Sequence, residues 1–340
     1  MYIVIRQYKA DPSAVGEIVR RAREGFLPLI SAAPGFASYS MTDAGEDGLI
    51  TVSSFEDSAG AKESVRLAAG WVNDNLAALL PDPPRVTSGE ASIREVKEGV
   101  QLGYGVMRRY QFKSGDVATV TRLVREGLVP QITSAQGFGF YSIVDAGAGE
   151  IVSLSAFTNR AAAEASSQQS LTWVREHLGS FHPQPPHIAG GEIKVMHRRA
   201  DEVRQVSERF YAALNTMANG DAGPMSAVWA HGGDVTTMHP IGQREVGWEQ
   251  VRPVWEMAAS AFTAGQIRLR DQLIRVGADL AYEVGVEEGE AMLAGERVTL
   301  NQRVTNIYRR EGGEWKMVHH HSDASPVMND LLSRLQPPPQ

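Results

Sequence analysis

YIVIRQY at residues 2–8 recurs as YGVMRRY at residues 104–110, and the correspondence runs on without a gap. Paired at the same offset are Glu24/Glu126, Gly25/Gly127, Pro28/Pro130, Gly35-Phe36/Gly137-Phe138, Tyr39/Tyr141, Asp43/Asp145, Phe55/Phe157, Trp71/Trp173 and Leu76/Leu178. An offset of 102 residues is far longer than the roughly 20–50 residues of solenoid repeats, so the chain carries a duplicated domain.

Each copy has the same element order. YIVIRQY alternates apolar and polar residues as a strand, and DPSAVGEIVRRAREGFLPLISAA has helical spacing behind an Asp cap and a first-turn proline. GFASYSMTDAGEDGLITVSSF reads as two strands around a Gly/Asp turn. A second helix, EDSAGAKESVRLAAGWVNDNLAALL, stops at prolines before a last strand, RVTSGEASIREV. The order βαββαβ predicts an antiparallel sheet with both helices on one face, leaving an apolar face that a second such sheet can cover.

Composition sets the outer limits. A chain of 340 residues is long enough for two or three domains, and 43% apolar with 21% charged residues is globular usage. A net charge of −7 without a Lys/Arg stripe argues against nucleic-acid partners. No apolar run is long enough for a bilayer span and no leader pattern opens the chain, so a cytoplasmic protein without a membrane partner is expected. With no cysteine, chemistry is left to histidines, carboxylates, hydroxyls, amides or a bound cofactor.

Element order and the Gly-Phe-x-x-Tyr turn resemble the antibiotic biosynthesis monooxygenase-like, or dimeric α/β-barrel, superfamily over residues 1–98 and 102–197. The resemblance implies ferredoxin-like repeats closing into an intramolecular barrel. Its enzymes oxidise polyphenols without metal or flavin, and relatives bind haem, in pockets beneath each sheet. Tyr39, Tyr141, Trp71 and Trp173 are the candidates for stacking and hydrogen-bonding an aromatic ligand there. A tryptophan repeated on a helix equally reads as an anchor between helix and sheet. Haem is disfavoured: His177 and His182 follow Trp173, but the first copy has Asn75 and no histidine.

Composition changes near Ala200. A helix containing RFYAALN, the short strand DVTTMHPIG, a helix opened by GWEQV and the hairpin IYRREGGEWKMVHHHSD resemble the SnoaL-like members of the nuclear transport factor 2-like superfamily over residues 201–336. The expected fold class is therefore α+β throughout, ending in a cone-shaped domain whose curved antiparallel sheet encloses a pocket. The resemblance puts His239 where ketosteroid isomerases carry their catalytic Asp. It puts Phe210 and Thr305 where they carry oxyanion-hole donors, so that activity is not expected, and Tyr211 is expected to face elsewhere.

Strict strand alternation puts Trp315, Met317, His319 and His321 on one side of the last strand, with Lys316, Val318 and His320 on the other. Because Lys316 seeks water, the first set is expected inward, with His319 and His321 beside His239 and with Asp323 or Asp234 to orient the rings. Phe210, Trp229, Trp255 and Trp315 are the expected pocket walls. Three imidazoles can run acid/base chemistry near neutral pH. The same three nitrogens also fit a metal with an open position, and equally histidines satisfied by the backbone or packed at a dimer contact.

Two functions follow as expectations. One is a cofactor-independent enzyme with oxygenase-like or cyclase/isomerase-like chemistry on a small aromatic or polyketide-like molecule. The other is a non-catalytic ligand-binding or assembly protein, since both folds serve as dimerisation modules and a homo-oligomer through the C-terminal domain is expected.

Overall fold

In β1 (Tyr2–Tyr8), Ile3 and Ile5 point one way, into a cluster with Met107, Val144, Val152 and Leu154, while Val4 and Tyr8 point the other way, towards helices. That two-sided burial places β1 in the middle of a covered sheet. The computed structural model describes residues 1–181, 184–240, 243–293 and 295–335. The chain divides into two units, Met1–Arg198 and Arg199–Gln340, and both repeats lie in the first.

The first repeat comprises β1, α1 (Val15–Arg21), α2 (Leu27–Ser31), β2 (Phe36–Asp43), β3 (Leu49–Phe55), α3 (Ser58–Leu76) and β4 (Arg85–Val96). The second follows as β5 (Tyr104–Gln111), α4 (Val117–Leu123), α5 (Val129–Ser134), β6 (Phe138–Gly147), β7 (Glu150–Phe157), α6 (Arg160–Leu178) and β8 (His187–Arg198). Their strands form one closed barrel in the order β1-β3-β2-β8-β5-β7-β6-β4. Closure depends on the last strand of each copy, which is 12 residues long. Arg85–Glu90 of β4 pairs with β1, and Ala91–Val96 continues onto β6 of the other copy. In the same way β8 joins β5 to β2. Each repeat thus covers the other's open edge, and no edge is left for stray pairing.

Helix caps follow the local sequence: Asp11, Asp57 and Asn159 accept from the backbone N–H of Ser13, Gly60 and Ala162 at 2.8, 2.8 and 3.0 Å. The first helix of each copy, read from sequence as uninterrupted, contains a π turn, Ala22–Phe26 or Val124–Leu128. Gly25 and Gly127 sit in these turns because an indole lies against them. A Cβ on Gly25 would be 3.1 Å from Trp71, and one on Gly127 would be 2.6 Å from Cζ2 of Trp173.

The second unit starts with α7 (Arg199–Met217) and α8 (Met225–Val228), then β9 (Thr236–Met238), β10 (Arg244–Val246) and α9 (Trp248–Ala261). A meander follows: β11 (Phe262–Val276), β12 (Leu280–Leu293), β13 (Glu296–Glu311) and β14 (Glu314–Ser322), then α10 (Pro326–Leu335). The sheet order is β10-β9-β14-β13-β12-β11, with β9 parallel to β14. Register shifts in β11, beside Ala264 (φ 51) and Asp271 (φ 55), bend the long strands, as bulges do. One sheet face packs on α7 and α9 through Phe210, Tyr211, Trp255, Tyr308 and Met317. Among the described residues no helix is long and apolar enough to cross a membrane.

The glycine contacts set an order of tolerance. Gly127→Ala should destabilise the first unit by about 1–3 kcal/mol through overpacking against Trp173, and Gly25→Ala by less, because its neighbour needs to move a smaller distance. Urea melts of the two variants check this ranking.

Candidate functional site

β14 carries the histidine run, and its pairing with β13 decides which ring enters the interior. Lys316 opposes Arg309 and Met317 opposes Tyr308, but the next partner, Ile307, opposes His319, so Val318 is an extra, bulged residue. A bulge reverses the side-chain parity beyond it. Trp315 and Met317 face inward as expected, but past the bulge the inward positions are His320 and Ser322. His320 is 2% exposed, whereas His319 is half-buried and His321 is exposed. The expected grouping of His239 with His319 and His321 is therefore corrected: His239 meets His320, and the three-nitrogen metal set is not assembled.

His319 and His321 form an edge contact on the opposite face, 6.2 Å between centroids, with His319 Nδ1 2.7 Å from Thr236 Oγ1. Asp323, half-buried, and Asp234, exposed, both expected to orient imidazoles, pair with arginines instead. Asp323 accepts from Arg303 Nε at 2.9 Å, and Asp234 pairs with Arg309. Both carboxyls are held below their usual range by those guanidinium groups.

The interior site has two imidazoles in an aromatic shell. His239 follows β9 and meets Trp255 of α9 edge-on, at 4.4 Å between centroids, with His320 at 5.8 Å. Phe210 of α7 lies 5.2 Å from His320, and Trp255 lies 5.8 Å from it. Part of His239 reaches solvent, but desolvation by the packed shell lowers its pKa to about 4. Burial, reinforced by neighbouring His239, pushes His320 well below the ordinary imidazole value. Both rings are neutral at neutral pH.

Beneath His320 lies a chain of hydrogen bonds that sequence reading did not find. His320 Nδ1 is 2.8 Å from Oδ1 of Asn306, and Asn306 Nδ2 donates to Glu283 Oε2 at 2.8 Å. Because that amide N–H is committed to a carboxylate, Oδ1 must accept, so Nδ1 of His320 carries the proton and Nε2 carries a lone pair. Glu283, fully buried on β12, also accepts from Tyr308 Oη at 2.7 Å, Ser207 Oγ at 2.7 Å and Gln272 Nε2 at 2.5 Å. Four donors on two oxygens suit an ionised carboxylate. Glu287, two repeats of the pleat further along the same face, accepts from Tyr211 Oη at 3.0 Å and Gln302 Nε2 at 3.1 Å. Burial, with the nearby charge of Glu283 adding to it, raises the Glu287 carboxyl to about 7.

Several expected residues change role. Tyr211 faces inward: its hydroxyl joins Glu287 and Asn306, and burial followed by the two carboxylates pushes its pKa up. Thr305 pairs with His321 on the outer face, while the inward positions of β13 are Gln302, Val304, Asn306 and Tyr308. Phe210 and Trp255 line the His239–His320 pair. Trp229 is joined to it through Trp255, at 6.2 Å, and among the described residues the buried Nε1–H groups of Trp229 and Trp255 have no acceptor. Trp315 instead anchors β14 to α7, donating from Nε1 to Glu202 at 2.8 Å. The missed glutamates left a signal: Glu283 and Glu287 share strand parity with Ala281, Ala291 and Leu293.

In the barrel unit, Tyr39 and Tyr141 are buried and line equivalent cavities of about 20 and 30 Å³ between sheet and helices. Trp71 lines the first cavity and packs on Phe26 at 5.4 Å. Trp173 instead stacks on His177 at 4.6 Å. His177 Nδ1 lies 3.0 Å from the Trp173 carbonyl, as Asn75 Nδ2 lies 2.9 Å from that of Trp71, so the pair caps equivalent helix turns. His182 lies outside the described residues.

Residues 203–328 match the SnoaL-like domain. The imidazole pair, the buried glutamates and their hydrogen-bonding partners all fall within that SnoaL-like domain. Among solved structures, one similar chain is a candidate dehydratase of the NTF2-like family from Streptomyces avermitilis, 23% identical over 37% of this chain and 95% of that one, TM-score 0.33. Two candidate monooxygenases cover 58% of this chain. One, from Lactobacillus acidophilus, is 12% identical over 96% of its own length, TM-score 0.48. The other, from Fusobacterium nucleatum, is 8% identical over 94% of its length, TM-score 0.49. No curated protein matches the chain.

The buried groups make opposite pH signatures. Between about 4.5 and 7 the folded chain holds a proton on Glu287 that the unfolded chain has released, so this stabilisation is full below 4.5 and is lost as pH rises through 7. For His239 the contribution is present above 6.5 and is lost as pH falls towards about 4. Glu287→Gln should therefore gain melting temperature relative to the native chain as pH rises from 4.5 to 8, by at least about 5 °C. Thermal melts across that range check the sign.

Proposed function

We propose that the SnoaL-like domain is a small-molecule enzyme that moves protons, with His320 as general base. The observation that carries this reading is the chain His320–Asn306–Glu283, which fixes a neutral imidazole beside His239, its Nε2 without a hydrogen-bond partner among the described residues. Such an orienting partner gives a histidine base its tautomer and direction.

In the reaction class supported best, a C–H bond next to a carbonyl breaks. Its electron pair moves into the carbonyl to form an enolate, and the proton passes to His320 Nε2. The imidazolium so formed is stabilised through Asn306 by the carboxylate of Glu283. Charge on the substrate oxygen has the unpartnered Nε1–H groups of Trp255 and Trp229 as available donors. An aromatic shell of Phe210, Trp229 and Trp255 favours a flat, apolar substrate, which fits a cyclase-, isomerase- or dehydratase-like step on an aromatic or polyketide-like molecule. This chemistry calls on no metal or organic cofactor.

The test is proton exchange at C1 of 2-tetralone in heavy water, followed by NMR. The native chain should exchange it above the buffer rate. His320→Gln should lose at least about 100-fold of that enhancement with its fold retained by circular dichroism, and His321→Gln should lose none. Activity should fall only at acid pH, below the ordinary imidazole range, because His320 stays neutral above it. Equal losses in the two variants, or no enhancement in the native chain, overturn the proposal.

A further inference from the structure

The barrel unit buries two arginines that, among the described residues, have no acid to balance them. Arg6 of β1 is 2% exposed and its repeat equivalent, Arg108 of β5, is 4% exposed. Arg6 donates from Nη1 to Ser53 Oγ at 3.1 Å and from Nη2 to Ser64 Oγ at 2.9 Å; Arg108 donates to Ser155 at 3.1 Å and Ser167 at 2.5 Å. In both, Nε–H is buried without an acceptor among the described residues. Among the described residues no carboxylate pairs with either, whereas neighbouring Arg109 pairs with Glu150 at 2.8 Å.

Keeping a guanidinium out of water with only neutral oxygens around it costs several kcal/mol. Burial accordingly lowers the pKa of both groups. The surroundings hold further donors rather than acceptors. Tyr8 and Tyr39 line the cavity with Arg6, Tyr110 and Tyr141 line the one with Arg108, and among the described residues nothing hydrogen-bonds these four hydroxyls. Burial raises the pKa of each phenol, so all four keep their protons. A cation and two O–H donors around one cavity form a receptor for an anion.

The inner cavity of the first repeat, about 20 Å³, holds no more than a single small group. Arg6, Tyr8, Val72 and Leu80 also line an open cleft of about 400 Å³, walled further by Val65 and Ala68. That volume lies within the range of small-ligand sites, about 300–1,000 Å³. Asp82, the acid on the cleft wall, is solvent-exposed, where its charge is screened.

We infer that the first repeat binds a single-ring organic carboxylate, its carboxylate against Arg6, Tyr8 and Tyr39 and its apolar body in the cleft lined by Val65, Ala68, Val72 and Leu80. The inference is independent of the proton-transfer reading, which concerns other residues in the other unit.

The experiment is calorimetric titration of the full chain at low salt with benzoate and with its neutral analogue benzamide. Benzoate should bind saturably and benzamide at least about 10-fold more weakly, the difference that hydrogen bonds to a charged group make. Arg6→Met should weaken benzoate at least about 10-fold, leave benzamide unchanged and keep or raise the melting temperature, because it removes an unbalanced buried charge. Arg122→Met, at an exposed position on α4, should leave benzoate binding as in the native chain. Should Arg6→Met fail to fold, Tyr39→Phe, which deletes only the hydroxyl, should weaken benzoate by at least about 3-fold. Equal affinities for benzoate and benzamide, no benzoate binding, native affinity in both first-repeat variants, or an equal loss on Arg122→Met each overturn the assignment.

Discussion

A buried carboxylate with four donors aimed at it holds the interior of the second unit together. Glu283 draws Ser207 from α7, Gln272 from β11, and Asn306 and Tyr308 from β13 onto its two oxygens. Taking that charge out of water is costly, and only a complete set of partners compensates it, so the four elements are tied to one geometry. His320 inherits its tautomer from this arrangement: Asn306 has no freedom to turn its amide once Nδ2 faces Glu283.

Interior charge is handled in three ways in this chain. Glu283 is fully hydrogen-bonded. Glu287 has fewer donors and rises to about 7, where it can exchange a proton at ordinary pH. Arg6 and Arg108 cannot give up a proton at any ordinary pH, and their serine partners supply no negative charge. The first solution builds structure, the second leaves a titrating group, and the third leaves a demand that a ligand can meet.

The barrel depends on length matching. A 12-residue last strand is long enough to pair first within its own βαββαβ half and then with the other, so β4 and β8 join the two halves into one closed sheet. Ile3, Ile5, Met107 and Val152 fill the lumen, and the cavities are displaced to the space between sheet and helices. Tyr39 and Tyr141 accordingly line those cavities rather than the lumen.

By itself the sequence determined the recurring βαββαβ order, the change of composition near Ala200 and the inward Trp315 and Met317. These follow from periodicity, internal repetition and the aversion of Lys316 to burial, all of which are local. Only the tertiary structure decided which histidine enters the interior. Three consecutive histidines carry no parity of their own, and Val318 becomes the extra residue only when β13 is laid beside β14. Tertiary structure also decided that Glu283 and Glu287 are interior, because a strand glutamate reads as solvent-facing until the donors from other elements that satisfy it are in place.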